Sequence, residues 1–274
     1  MEHRIKLAYC VATPELRVDE SVTAYQGDMN RAFQRLRELG YDGAELMTKD
    51  PNRFDGEMVH RLADKYGIEI PVLCTGEVYG QDLLSFMDPD MSIRREAIRR
   101  TEQIIDLASS FGAKVNIGRL RGRFSREIPR ERSLQWMYSA FEEVTDYAAT
   151  RGVTMILEPV ARIACNNINS TQDGIETVRR VGRDNFRLML DVFHMNLEDK
   201  SMEESFDRAK SYLAHIHLCD SNRLAPGRGN LDFNKIMAAI KRIDYHGYVS
   251  AEITQFPTQD TALEETVKVL RPLL

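Results

Sequence analysis

The feature that most constrains the fold is a repeated unit, in which a helix-like segment ends at a glycine and a short apolar run follows. Glycine adopts the left-handed backbone that ends many helices, so its place before each apolar run predicts a helix-to-strand connection. The pattern occurs at Gly40, Gly67, Gly112, Gly152, Gly182 and Gly247. With two further apolar runs it predicts eight strands, at residues 5–9, 41–46, 68–73, 113–117, 153–157, 186–190, 213–218 and 248–251.

The order of these elements predicts the fold class. Short apolar strands that alternate with amphipathic helices indicate parallel strands joined by helical crossovers. Eight such units in 274 residues favour a closed barrel, since barrels of this kind run to roughly 250 residues as one domain. We therefore predict an α/β protein with one (β/α)8 TIM barrel spanning residues 1–274. An open doubly wound sheet is the alternative, but no Gly-x-Gly-x-x-Gly follows the first strand.

Charge and cysteine content narrow the class of partner and the compartment. A net charge of −5 gives no general attraction to nucleic acid or to an anionic membrane. No run approaches the roughly 18 apolar residues of a membrane span. The chain begins with charged residues where a signal peptide is apolar, and its four cysteines form no Cys-x-x-Cys pair. We expect a cytoplasmic protein with free thiols and with neither nucleic acid nor a membrane as partner.

Four consecutive predicted strands, the fifth to the eighth, end in side chains that bind metal ions in other proteins. The active site of a (β/α)8 barrel lies at the C-terminal ends of the strands, so these side chains should meet at one rim. Converging charges repel unless a cation joins them, and three carboxylates with one imidazole suit Mn²⁺, Mg²⁺ or Co²⁺, with Zn²⁺ also open. Taken singly, an acid at a strand end is more often a helix N-cap or a surface group. The predicted ligands are Glu158, Asp191, His217 and Glu252.

Other polar residues lie near these ligands in the sequence. His194 and Arg223 are placed to contact an oxygen-rich ligand, although, taken alone, a histidine or arginine in a loop is more often a capping or surface residue. Arg162 is placed either to contact that ligand or to brace the Glu158 carboxylate. Of the two histidines in the seventh strand, we predict that only His217 faces the barrel interior, with His215 as a packed structural residue.

A basic segment follows the fourth predicted strand. It contains Arg119, Arg121 and Arg123, and arginine binds phosphate and carboxylate groups through two parallel hydrogen bonds. One interpretation is a clamp for an anionic end of the substrate. The other, which we favour, is a solvated loop.

Three segments in the second part of the chain resemble a known family. Residues 157–162, 190–196 and 215–223, together with the turn at 226–229, resemble the xylose isomerase-like barrel superfamily. Within it the resemblance is to ketose 3-epimerases of the D-tagatose and D-psicose (allulose) type. It is strongest from residue 157 to residue 252, and before that only the barrel pattern agrees.

The resemblance implies specific roles for the predicted site. It implies one divalent metal ion, usually manganese, held by the four ligands, and a homodimer or homotetramer. It implies that Glu158 and Glu252 are the acid/base pair and that His194 and Arg223 hold the sugar oxygens. One position departs from the family, because the epimerases carry a second substrate-contacting glutamate where this chain has Ala164.

The chemistry follows from the residue types. A proton next to a ketone carbonyl is acidic, and a metal bridging the neighbouring oxygens stabilises the enediolate formed when that proton leaves. Two carboxylates on opposite faces can remove a proton and return one, which epimerises the carbon of a small sugar. Proton movement between adjacent carbons would instead isomerise an aldose and a ketose. A lyase acting on an oxidised sugar acid or inosose is the alternative from another enzyme class. A DNA-repair endonuclease and a non-catalytic sugar-binding protein are less favoured alternatives.

Overall fold

Eight parallel strands form a closed barrel in a computed structural model that describes residues 5–274. The strands follow one another around the barrel in chain order, and the last pairs with the first. They are β1 (Lys6–Ala12), β2 (Gly43–Met47), β3 (Val72–Cys74), β4 (Lys114–Ile117), β5 (Met155–Leu157), β6 (Phe186–Asp191), β7 (Leu213–Leu218) and β8 (Tyr248–Ala251). Residues 1–4 of the predicted domain lie outside the described residues.

Helices connect the strands on the outside of the barrel. They are α1 (Met29–Leu39), α2 (Gly56–Tyr66), α3 (Gly76–Gly80), α4 (Met91–Phe111), α5 (Arg130–Thr150), α6 (Thr171–Val181), α7 (Val192–Glu198), α8 (Met202–Ala209), α9 (Phe233–Arg242) and α10 (Gln259–Leu270). Short 3-10 helices lie at Pro51–Arg53, Arg119–Arg121 and Arg271–Leu273. Among the described residues, no helix combines the length and the apolar character needed to cross a membrane.

The predicted (β/α)8 barrel is confirmed, and the open-sheet alternative is wrong because β8 pairs with β1. Each predicted strand overlaps an observed one. The largest difference is in β3, which begins at Val72 rather than at residue 68. Pro71 has no backbone N–H to donate to a neighbouring strand, so regular pairing starts after it.

The glycines end helices as predicted in five of the six units. Their φ angles lie between 62° and 78°, in the left-handed region. At the end of α1, for example, the Gly40 N–H donates to carbonyl groups of the last helical turn. Gly247 differs, because α9 ends at Arg242 and Gly247 lies in the bend before β8.

Alternation along β6 places its buried side chains in two different clusters of the core. In β6, Leu188 and Leu190 belong to the large hydrophobic cluster of the protein. Met189, between them, belongs to a separate buried cluster with Ile156 of β5 and Val72 of β3. Side chains two positions apart in a strand share a face, so Asp191 lies on the same side of the strand as Met189.

Candidate active site

The structure brings the four predicted ligands together at one end of the barrel. One ligand atom from each of Glu158, Asp191, His217 and Glu252 lies within 4.8 Å of the others, and all four residues are buried. His217 Nδ1 lies 3.3 Å from Glu252 Oε2, 3.8 Å from Asp191 Oδ2 and 4.0 Å from Glu158 Oε1. All four come from β5–β8, which we call the second half of the barrel, or from the residue directly after one of these strands.

Two buried atoms of this cluster have no hydrogen-bond partner among the described residues. They are Glu158 Oε1 and His217 Nδ1. A buried polar atom without a partner costs roughly 1–3 kcal/mol, so a cation between the two would satisfy both. Carboxylate oxygens and an imidazole nitrogen are ligands for divalent ions such as Mn²⁺ or Mg²⁺. These four residues could therefore hold a metal ion.

Glu45 in β2 binds both histidines of β7. Its carboxylate accepts hydrogen bonds from His215 Nε2 at 2.8 Å and from His217 Nε2 at 2.9 Å, and all three side chains are fully buried. The prediction that only His217 faces the interior is therefore wrong, because residues two apart in a strand share a face. Since a carboxylate only accepts, the hydrogen of His217 lies on Nε2 and its Nδ1 faces the other carboxylates.

The carboxylates are oriented by groups from the first half of the barrel, β1–β4 and their loops. Thr23 Oγ1 donates to Glu252 Oε1 at 2.9 Å, and Asn116 Nδ2 of β4 donates to Glu158 Oε2 at 3.3 Å. Asp191 uses Oδ1 to cap α7, which leaves Oδ2 for the cluster. Thr23 and Asn116 could not be predicted as these donors from the sequence, since each lies far along the chain from its acceptor.

His194 and Arg223 lie beside the cluster, as their sequence positions predict. His194 is buried, its Nε2 lies 3.8 Å from Glu158 Oε1, and burial lowers its pKa to about 4. Arg223 Nη1 donates to Asp191 Oδ2 at 2.6 Å, and Nη2 contacts Glu252 Oε2. The φ of Arg223 is 65°, in the left-handed region that side-chain-bearing residues rarely adopt. The loop after β7 thus holds its guanidinium against two predicted ligands.

A cavity of about 210 Å³ opens onto this cluster. Glu158, His194, Arg223 and Glu252 line it. Its volume is below the roughly 300–1,000 Å³ of drug-sized ligand sites, which indicates a small ligand. Ala164, for which the family resemblance would imply a glutamate, lies in the wall.

Burial and mutual repulsion separate the pKa values of the two glutamates. Burial, with the nearby charge of Glu252, raises the pKa of Glu158. Burial also acts to raise the pKa of Glu252, but Arg223 and His217 hold it well below its usual range. The pKa of His217 is raised, because the carboxylates of Glu45 and Glu252 outweigh the effect of burial. The cluster therefore attracts positive charge.

Several arginines have different partners from those predicted. Arg121 is fully buried and donates to four backbone carbonyls and one amide side chain, so it is neither an anion clamp nor part of a solvated loop. Arg123 donates to the Ala164 carbonyl at 2.6 Å. Arg162 pairs with Glu198 at 2.7 Å rather than bracing Glu158. These side chains hold the loops after β4 and β5 in place.

A family model described as "Xylose isomerase-like TIM barrel" matches residues 33–273. The chain belongs to this family. It is 31% identical over 248 residues to an L-ribulose 3-epimerase of Methylomonas sp. (strain DH-1), covering 89% of this chain and 84% of that one. It is 32% identical over 252 residues to a D-psicose 3-epimerase of Agrobacterium fabrum (strain C58), covering 88% and 84%.

Solved structures show the same fold. A D-allulose 3-epimerase of Methylomonas sp. superposes with a TM-score of 0.81 at 22% identity, over 99% of this chain and 98% of that one. A 3-keto-D-glucoside 4-epimerase of E. coli in its apo form gives a TM-score of 0.81 at 20% identity, over 98% and 100%.

Proposed function

We propose that this protein is a metal-dependent sugar epimerase, an isomerase that inverts the C3 carbon of a ketose or related hydroxyketone. The observation that carries the proposal is the convergence of Glu158 and Glu252 on one small cavity, together with Asp191 and His217. Two carboxylates with separated pKa values are typical of an acid/base pair. The names of the two epimerases reported above support the same reaction and a small sugar as substrate.

In this proposal the four residues hold one divalent ion, for which we propose Mn²⁺. The orphaned atoms Glu158 Oε1 and His217 Nδ1 support that role. A bound divalent ion would stabilise negative charge on the substrate oxygens beside the reacting carbon. One glutamate removes the proton from one face of that carbon while the other returns a proton to the opposite face. Asn116 and Thr23 hold the two carboxylates in orientation through their hydrogen bonds.

His194 and Arg223 have a supporting role in this reaction. Both line the cavity next to the glutamates, and we assign them to hydrogen bonds with the sugar oxygens. The burial that lowers the pKa of His194 keeps its imidazole neutral at pH 7, so it can donate or accept one hydrogen bond. Arg223 adds charge-assisted donors, which strengthen as negative charge develops on the substrate.

The lyase alternative finds no support in this geometry. For a sugar-acid substrate it would need a cationic group at the acidic end, and the basic segment 119–123 was the sequence feature that offered one. Arg121 is instead occupied by backbone carbonyls, and Arg119 pairs with Glu77 at 3.0 Å. Neither of the curated relatives reported above has the name of a lyase.

Proton exchange in deuterated water tests the proposal. Manganese-loaded wild-type protein should place deuterium at the epimerised carbon of D-psicose, D-tagatose or L-ribulose, read by NMR. Glu158→Gln and Glu252→Gln keep the shape and one oxygen but remove the base, so each should lose net epimerisation by roughly 10²–10⁴-fold. Exchange without inversion in one variant is the signature of two bases on opposite faces.

Glu265→Gln is the matched control, since Glu265 pairs with Arg228 outside the cavity. It should epimerise at the wild-type rate. Near-wild-type epimerisation in either active-site variant would contradict the two-base assignment, and the absence of exchange with any ketose would contradict the function. We also propose that the protein is cytoplasmic and forms a homodimer or homotetramer. Light scattering after size exclusion measures the number of subunits.

A further inference from the structure

A second pair of charged side chains lines the cavity and has no part in the proposed proton transfer. Glu77 lies in α3, after β3, and Arg119 follows β4. Arg119 Nη2 lies 3.0 Å from Glu77 Oε1, and both residues are in the wall that Glu158 and Glu252 also line. Glu77 is 6% exposed, so most of the residue is removed from water.

The pair leaves several polar atoms available to a ligand. Arg119 uses Nη2 for both of its hydrogen bonds, to Glu77 and to the Gly76 carbonyl at 3.4 Å, and its Nη1 and Nε have no partner in the described part of the chain. Glu77 Oε2 accepts no hydrogen bond from the described residues either. Gly80 makes room for this carboxylate, because a Cβ there would lie 2.7 Å from Oε2.

The charges of the pair determine which ligand chemistry it favours. A guanidinium alone in a cavity wall would attract a phosphate or carboxylate group. Here Glu77 compensates that charge and would repel an anion placed beside it. Together the two side chains offer donors and an acceptor at one place, which suits neighbouring hydroxyl groups.

We infer that Glu77 and Arg119 form a specificity-determining subsite, which binds hydroxyl groups of an uncharged sugar away from the reacting carbon and rejects a phosphate or carboxylate there. This inference rests on the proposed function, because it takes the cavity to be the sugar site. A purely structural pair, tying the loop after β3 to the loop after β4, would affect stability without changing the choice between neutral and anionic sugars.

The test removes the charge of Glu77 or Arg119 and measures the relative affinity for a neutral sugar and an anionic one. The probes are D-psicose and D-psicose 6-phosphate, titrated calorimetrically into manganese-loaded protein. Wild-type protein should bind D-psicose at least about tenfold more tightly than the ester. Glu77→Gln should bind the ester about tenfold more tightly than wild type and D-psicose about tenfold more weakly, since one charge-assisted hydrogen bond changes affinity by roughly this factor.

Two further variants identify the source of the change. Glu143→Gln is the matched control, since it removes the same charge from an arginine pair, with Arg95, that joins α4 to α5 outside the cavity wall, and its affinities should stay at wild-type values. In the double variant Glu77→Gln/Arg119→Leu the gain for the ester should disappear. A Glu77→Gln protein whose affinities for both probes stay within about twofold of wild type would overturn the inference.

Arg119→Leu alone provides a test that does not depend on the folding of the Glu77 variant. Arg119 has a side chain that is 38% exposed, so its loss should leave the protein folded and its manganese content unchanged, with a lower thermal transition because the Glu77 carboxylate loses its partner. D-psicose should bind about tenfold more weakly, and unchanged D-psicose affinity would overturn the inference. The proposed function fails separately, through the absence of deuterium exchange in wild-type protein, whereas the affinity ratios come from heats of binding and do not require that the probe be turned over.

Discussion

Glu45 binds the imidazole edge of His217 that faces away from the other carboxylates. Its second oxygen binds His215 on the same strand. Outer partners of this kind fix which nitrogen of a ligating histidine carries the hydrogen and how the ring is oriented. Glu45 is therefore a positioning residue for the site, although it lies outside the wall of the cavity.

Glu45→Gln should weaken manganese binding by about 10–100-fold. The Glu45 carboxylate accepts a hydrogen bond from each of the two histidines, whereas a glutamine amide can accept from one and presents its N–H to the other. A histidine facing that N–H must move its hydrogen to Nδ1, and for His217 this is the nitrogen that faces the proposed ion. Calorimetric titration of metal-free protein measures the affinity. Glu69→Gln, which alters a carboxylate paired with Lys6 away from the site, is the control and should bind as wild type. Equal affinities in both variants would show that Glu45 does not position His217.

Arg223→Ala separates substrate binding from metal binding. The guanidinium pairs with Asp191 and Glu252, so its removal leaves both carboxylates free for a cation. We expect epimerisation to fall by roughly 10²-fold or more, with manganese affinity equal to or above the wild-type value. Elemental analysis and steady-state kinetics on the same preparation measure both. Loss of metal together with activity would instead indicate a structural role for Arg223.

At the scale of elements, a glycine after a strand and a glycine at the end of a helix serve different structural purposes. Gly118, directly after β4, lies against the site, since a Cβ there would be 2.7 Å from Glu158 Oε2. Gly112, before β4, has a φ of 64° and no atom of another residue within 4 Å of where its Cβ would be. One glycine makes room for the Glu158 side chain, and the other permits a left-handed backbone conformation.

Alanine should therefore reduce mainly the activity at Gly118 and mainly the stability at Gly112. Gly118→Ala should displace Glu158 and lower epimerisation, with a smaller loss of thermal stability. Gly112→Ala should destabilise the protein by about 1 kcal/mol, the cost of a left-handed alanine, and leave epimerisation per folded molecule unchanged. Thermal denaturation and kinetics on both proteins make the comparison. A Gly118→Ala enzyme with full activity would show that the Glu158 carboxylate tolerates movement.

For the whole molecule, the raised pKa values of Glu158 and His217 link metal binding to pH. Both groups hold protons at a pH where they would ordinarily release them, and a metal ion must displace those protons. Manganese affinity should therefore fall as the pH is lowered from 8 to 6, by about tenfold per pH unit for each proton released. Calorimetry in two buffers of different ionisation enthalpy counts the protons. An affinity that stays constant over this range would contradict the linkage.

The sequence was informative where a feature is local and uninformative where it depends on distant segments. The helix-ending glycines and the convergence of Glu158, Asp191, His217 and Glu252 at the strand ends follow from neighbours in the chain, so both could be predicted. Glu45 and His217 are 172 positions apart, and only closure of the barrel brings them together. One signal was available, because Glu45 is an acid inside the otherwise apolar strand β2. The pair of Glu77 and Arg119 gave no such signal, since charged residues in loops are common.

The division of the site between the two halves of the barrel bears on how such an enzyme can change. The proposed ligands belong to the second half, whereas Thr23, Glu45 and Asn116, which orient them, belong to the first. Exchange of the first half between related genes would keep the proposed metal site and acid/base pair while altering their orientation and the part of the cavity wall that the first half contributes. Recombination at the boundary between β4 and β5 is therefore a route by which related enzymes could keep one reaction and change the sugar on which it acts.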